Sequence, residues 1–160
     1  MSPVFAKKLK ILNFLNKPVD FNKKLNNKPI LGKNKTFRGF VTGIITATTI
    51  VYLQTVFFQP ELSILPYNAL NPILLGFIIG FGTLFGDSFE SFFKRQLNIQ
   101  PGKPFVPFDQ IDSVTFCLIG IYLIYPLTIN IIIISIALTF ALTLLSNLTG
   151  YWLKIKEVWW

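Results

Sequence analysis

The stretch Ser113–Leu153, SVTFCLIGIYLIYPLTINIIIISIALTFALTLLSNLTGYWL, holds no charged side chain over 41 positions. As one helix it would reach about 60 Å, twice the ~30 Å hydrocarbon core of a bilayer. It must therefore fold back, and Pro126 with Asn130 marks the turn. Two spans result, at about 113–127 and 130–149. Upstream, residues 39–60 lie charge-free between Arg38 and Glu61, and residues 62–86 lie between Glu61 and Asp87. Each exceeds the roughly 20 residues that a spanning helix needs. They predict spans at about 39–58 and 68–86, the second starting after Pro66 or Pro72. The expected fold is all-α: a polytopic membrane domain over 39–160 of about four transmembrane helices, preceded by a basic segment, 1–38. With an even number of spans, both ends of that domain lie on one side.

Composition agrees with this pattern. Charged residues make up 14% of the 160 residues, against the roughly 25% of soluble domains, and 52% are hydrophobic. Mean hydropathy is +0.56. Of the 15 Lys and Arg, ten precede residue 39, three fall in 88–112 and two follow 153. All therefore sit on one face, which the positive-inside rule makes cytoplasmic. The net charge of +8 flanks apolar runs and forms no soluble basic face. Anionic headgroups and phosphorylated substrates, not nucleic acid, are the expected partners. The segment 1–38 is expected to lie on the headgroups, without the apolar core of a cleavable signal. Histidine is absent, which excludes imidazole acid–base chemistry and His-based triads or zinc sites. The lone Cys117, deep in an apolar run, reads as a packed thiol.

Chemistry concentrates in the loop 87–112, where Asp87, Ser91, Lys94 and Arg95 are followed by Lys103 and by Asp109-Gln110-Ile111-Asp112. Read as a helix, 88–97 puts Asp87, Ser91, Lys94 and Arg95 on one face and Phe89, Phe92 and Phe93 opposite, as an interfacial helix would. Asp87 with Glu90, and Asp109 with Asp112, each have the spacing of a capping box. Capping accounts for either pair singly. It does not account for three aspartates at span ends with Lys94, Arg95 and Lys103 between them. Carboxylates beside cations are the kit for a divalent metal and phosphate. Lys35, Thr36 and Arg38 abut the first span, where they serve either as flanking charge or as part of the same site. Lys7, Lys8, Lys10, Lys23, Lys24 and Lys28 need no explanation beyond flanking. Glycines four apart, at 39/43, 76/80 and 82/86, read as close helix contacts, with Gly86 also placed to let a ligand approach.

The run Gly-Asp-x3-Ser-x2-Lys-Arg at 86–95, followed by Pro-Gly-Lys-Pro-x2-Pro-Phe-Asp-Gln-x-Asp at 101–112, resembles the CDP-archaeol synthases of the CDP-diacylglycerol synthase superfamily. Pro18-Val19-Asp20-Phe21, the Gly-x2-Lys-Thr-x-Arg-Gly of 32–39 and Asn147-x2-Gly-Tyr fit as well. The resemblance implies transfer of CMP from CTP to an isoprenoid ether-lipid glycerol phosphate, with Mg2+ and pyrophosphate release, in membrane phospholipid synthesis. It implies Asp87, Asp109 and Asp112 as metal ligands, with Lys94 beside them as a catalytic group. Ser91, Arg95, Lys103, Lys35, Thr36 and Arg38 would bind phosphates. The Lys-Asp and Pro-Gly-His-Gly-Gly stretches of the diacyl-lipid branch are missing, which favours the archaeol-type branch. Family members open with a further helix before the position of Pro18; the first 17 residues here are too short and basic to span. The tail residues Lys154 and Trp159 also depart from the family pattern. A phosphatidate acceptor and a non-catalytic scaffold are the alternatives. A carrier would want charges within the spans, which hold none. The expected partners are CTP, a lipid phosphate and membrane lipid, with room for a homo-oligomer.

Overall fold

The computed structural model describes residues 13–57, 65, 70–100, 103 and 105–154. The basic residues 1–12, Glu61, Pro66, the loop positions Pro101, Gly102 and Pro104, and the tail 155–160 with Trp159 lie outside the described residues. Four helices carry the chain: α1 (Phe37–Phe57), α2 (Pro72–Gln96), α3 (Phe108–Tyr122) and α4 (Ile129–Trp152). Of these α1, α2 and α4 are long and apolar enough to cross a bilayer. The 15 residues of α3 extend about 22 Å.

α2 is the central element, and its glycines explain why. A Cβ on Gly76 would lie 2.5 Å from Thr48 Cα, and one on Gly80 2.9 Å from Ile44 Cα, both on α1. A Cβ on Gly82 would lie 2.9 Å from the Phe116 carbonyl oxygen, and one on Gly86 2.7 Å from that of Asp112, both on α3. The two small-xxx-small pairs thus serve opposite faces of one helix, each admitting a neighbouring backbone. What closes on Gly86 is α3 itself, so its expected role in admitting a ligand gives way to packing. Within α1, the Thr42 and Thr46 hydroxyls donate to the carbonyls of Arg38 and Thr42 at 2.8 Å. These polar groups are satisfied without leaving the helix.

Both ends of α2 are well defined. The Asn71 side chain accepts from the N–H groups of Ile73 and Leu74, with Pro72 opening the helix. At the other end Asn98 is left-handed at φ 61, Ile99 N–H reaches the Lys94 carbonyl and Asn98 N–H the Arg95 carbonyl. That is a Schellman closure, and Lys94 and Arg95 complement the carbonyl-rich end. The expected separate interfacial helix at 88–97 is therefore the last turns of α2. No proline interrupts Asp87–Gln96, and Phe77, Phe81, Phe85, Phe89 and Phe93 form one continuous half-exposed ladder at four-residue spacing. Asp87 and Glu90 lie inside this helix and cap nothing.

Two further boundaries move. α3 begins at Phe108, not at 113, because the first turn of a helix tolerates Asp109 beside its free N–H groups. It ends at Tyr122, so the reversal occupies Leu123–Thr128 with Pro126, and Asn130 belongs to the first turn of α4. Leu118, Ile121 and Leu127 join Val51 and Leu75 in the apolar core, while α4 has no buried residue.

Residues 17–36 fold onto the end of α2 and are more than a basic strap on the headgroups. β1 (Lys24–Leu25) and β2 (Lys28–Pro29) pair antiparallel, with Leu25 opposite Lys28. Asn26 and Asn27, at φ 50 and 62, make the tight turn that suits a two-residue hairpin. Lys28, read as flanking charge, donates to the Gln96 carbonyl at 2.5 Å and ties the hairpin to the C-terminus of α2.

Candidate active site

The organiser of the N-terminal loop is Asp20, which is buried. Its carboxylate accepts from the N–H groups of Asn22 (2.9 Å), Leu31 (2.9 Å) and Gly32 (3.0 Å). Burial opposes its charge, yet these backbone bonds hold its pKa below the ordinary 3.8. Val19 N–H donates to the Lys35 carbonyl at 2.9 Å, which fixes the chain just ahead of α1. Gly32, at φ 94, turns the loop where Arg95 approaches, its Nε 3.5 Å from where a Cβ would be.

This fold carries Lys35 onto α2, where Lys35 Nζ lies 2.5 Å from Asp87 Oδ2. One turn along, Lys94 Nζ lies 2.5 Å from Glu90 Oε1 and 2.9 Å from Asp109 Oδ1, linking α2 to α3. The close contact at Gly86 brings Asp112 alongside. Ligand oxygens of Asp87, Glu90 and Asp112 all fall within 4.8 Å of one another. Burial pushes the Asp112 carboxyl above its ordinary pKa; the Ser113 backbone counters, and the charges of Asp87 and Asp109 add to the rise. At Asp109 burial acts the same way, but Glu90, Lys94 and the Phe105 N–H, which donates at 3.0 Å, bring the pKa below normal.

Above these carboxylates opens a cleft of about 930 Å³, lined by Lys24, Lys33, Lys35, Ser91, Lys94 and Arg95 together with Asp87 and Glu90. Its size lies at the upper end of the range for small-molecule sites. Of the residues singled out in the sequence, Asp87, Asp112, Lys35, Ser91, Lys94 and Arg95 thus meet. Asp109 sits on Lys94, and the acidic group gathers Glu90 in the third place. Thr36 accepts from the Gly39 N–H at 3.2 Å and so caps α1. Arg38 is buried at the first turn of α1, and Lys103 is exposed and does not line the cleft. Glu90, whose spacing from Asp87 suits a capping box, lies inside the helix and joins the carboxylates instead. Its position one turn beyond Asp87, on the same helix face, is the signal that places it with Asp87.

Fold and site together define a polytopic helical membrane protein with a lysine-rich cleft over a carboxylate cluster at one end of its bundle, an arrangement for handling polyanions. The model of the CarS-like CDP-archaeol synthase family matches residues 3–160, and the chain belongs to that family. A CDP-archaeol synthase of Methanocaldococcus jannaschii is 35% identical over 147 residues, covering 89% of this chain and 83% of the relative. One from Pyrobaculum islandicum is 31% identical, covering 99% and 89%. A solved structure described as an intramembrane enzyme for archaeal membrane lipids biosynthesis superposes with a TM-score of 0.69 at 25% identity, covering 91% of this chain and 88% of the other. This chain is thus a multi-pass membrane enzyme of the nucleotidyltransferase kind.

Proposed function

We propose that this chain transfers CMP from CTP to an isoprenoid ether-lipid glycerol phosphate, giving a CDP-lipid and pyrophosphate. The observation that carries this reading is the convergence of Asp87 and Glu90 with Lys35, Lys94 and Arg95 on one cleft, with Asp112 beside the two carboxylates, in a chain of this family. The acceptor is a phosphate monoester with a second pKa near ~6. At neutral pH it is already largely dianionic, so its oxygen attacks the CTP α-phosphorus without a general base, consistent with a chain that has no histidine. The new P–O bond forms as the bond to the β-phosphate's bridging oxygen breaks, and pyrophosphate leaves with the electron pair.

The barrier is the meeting of two polyanions, and the residues answer it electrostatically. Lys35 and Arg95 reach the cleft from two elements and hold phosphate oxygens, with the Ser91 hydroxyl as a neutral donor. Lys94, tied to Glu90 and Asp109, keeps α2 and α3 in register beneath the phosphates. Asp87, Glu90 and Asp112 offer hard oxygen donors within 4.8 Å of one another, a set that fits Mg2+. When bound, that ion supplies charge neutralisation for the phosphates and the leaving pyrophosphate. By the positive-inside rule the cleft faces the cytoplasm across the cytoplasmic membrane. CTP then arrives from water while the lipid's chains stay in hydrocarbon.

The test supplies the detergent-purified chain with labelled CTP and Mg2+, offering geranylgeranylglyceryl phosphate and phosphatidate in parallel. Label entering the ether lipid in preference is the expected result. Label in neither lipid would sink the proposal, and preference for phosphatidate would reassign the acceptor.

A further inference from the structure

Asp87 has two claims on it. Its carboxylate belongs to the only acidic group of metal-binding dimensions among the described residues. It also carries the Lys35 ammonium at 2.5 Å, in an ion pair whose Asp87 side chain is 46% exposed and whose Lys35 side chain is 18% exposed. A divalent cation sharing Asp87 with Glu90 and Asp112 would face an ammonium already seated on one of its ligands. An ammonium and a divalent cation on one exposed carboxylate repel one another modestly, so each weakens the hold of the other.

We propose that Lys35 is a placeholder cation: it occupies Asp87 when no metal is bound, is displaced when the metal arrives, and is thereby released to the nucleotide phosphates. The inference rests on the assignment of Asp87, Glu90 and Asp112 to the metal. Three features favour exchange over a permanent ion pair. Lys35 belongs to the loop ahead of α1 whereas Asp87 belongs to α2, so the contact joins separate elements. The Lys35 backbone is held independently, its N–H donating to the Gly32 carbonyl at 3.2 Å and its carbonyl accepting from Val19. The side chain can therefore swing without unfolding the loop. Lys35 also lines the same cleft as Ser91 and Arg95, so an ammonium leaving Asp87 stays within it. Lys94 also contacts a member of the acidic group, Glu90, but it keeps Asp109, outside that group, as a second partner and so stays in place. Metal and nucleotide binding are then coupled: the metal frees the lysine that the triphosphate needs.

The test is a Mn2+ titration of the full chain in detergent, followed by the spin signal of the free ion, without nucleotide. Lys35→Met is compared with wild type and with Lys33→Met, which removes an equal charge from the same cleft at an exposed position. Lys35→Met is expected to bind Mn2+ about two- to fivefold more tightly than either, the scale of one exposed ion pair. Its affinity for CTP with Mn2+ is expected to fall. Lys35→Gln is measured alongside as a polar replacement, so that a folding defect in one variant does not decide the matter. Equal Mn2+ affinity in the Lys35 and Lys33 variants, or weaker binding in both Lys35 variants than in wild type, overturns the exchange. Asp112→Asn separates the two layers: undiminished Mn2+ binding there overturns the metal assignment and the exchange with it. Transfer of label from CTP by the wild-type chain, read separately, reports on the activity alone.

Discussion

Helices α2 and α4 are of nearly equal length, 25 and 24 residues, and both are apolar, yet they are used in opposite ways. α2 buries Leu75, four glycines and two serines, and holds neighbours on both sides at backbone contact. α4 buries none of its residues within the chain and shows Ile133, Ile134, Leu138, Leu142 and Leu145 to the surroundings. In a bilayer, apolarity does not distinguish inside from outside, because lipid is as apolar as leucine. Small residues do. The helix rich in glycine becomes the centre of the bundle, and the helix rich in isoleucine and leucine faces lipid. The same contacts that centre α2 lay Asp112 beside Asp87, so packing and chemistry share residues at that end.

The contrast can be broken most severely at the site. Asp112→Asn is expected to lower CMP transfer by roughly 100-fold or more while leaving membrane insertion intact, checked by label transfer beside a topology assay. Gly86→Leu should follow closely, because its side chain would enter the backbone of Asp112 and Ser113. Loss of transfer with a lowered melting temperature in detergent is the expected outcome, and unchanged melting would mean that the α2–α3 contact is looser than drawn. A change of similar scale but opposite sign on α4, Leu142→Ala, should shift melting by little, since the residue is 56% exposed and sees lipid before and after.

Smaller effects sharpen the picture at the N-terminal loop. Asp20→Asn keeps the shape but loses the acceptor for one set of backbone N–H groups, at a cost of about 2 kcal/mol in loop docking, measurable as protease sensitivity of residues 17–36. The same bonds make docking pH-dependent. Because Asp20 titrates below its ordinary 3.8 when folded, its contribution is complete above that value and is lost as pH falls through the lower, folded one. The loop should therefore loosen only in strong acid, and Asp20→Asn should remove this dependence. Thr36→Ala, which deletes the cap of α1, should cost about 1 kcal/mol and be the mildest of the series.

Much of this was open to reading in order. The missing charges over 39–60 and 113–153 mark where the apolar helices α1, α3 and α4 form, because burying an ion in hydrocarbon is too costly to leave unpaired. The paired glycines announce close approach. That Asp87, Asp112, Lys94 and Arg95 gather at one end of the bundle also stands in the sequence, since charge crowded at span ends needs a reason. Glu90 is ambiguous in sequence because a Glu three residues after an Asp looks the same in a capping box as in the middle of a helix. Only the continuation of α2 past Gly86 separates the two. Lys28 was passed over as one lysine among many, and nothing local distinguishes the one that meets a helix end.

What the sequence determined alone is the number of apolar segments, the clustering of positive charge beside them, and the kind of chemistry a site without histidine can perform. These follow from transfer energies and functional groups, which belong to residues one at a time. Which carboxylates come together, and that Lys35 from one element sits on Asp87 of another, was decided only by the tertiary structure. Such distances depend on how closely two helices approach, and here that spacing is set by a missing Cβ at Gly86 and by a loop folded around the buried carboxylate of Asp20.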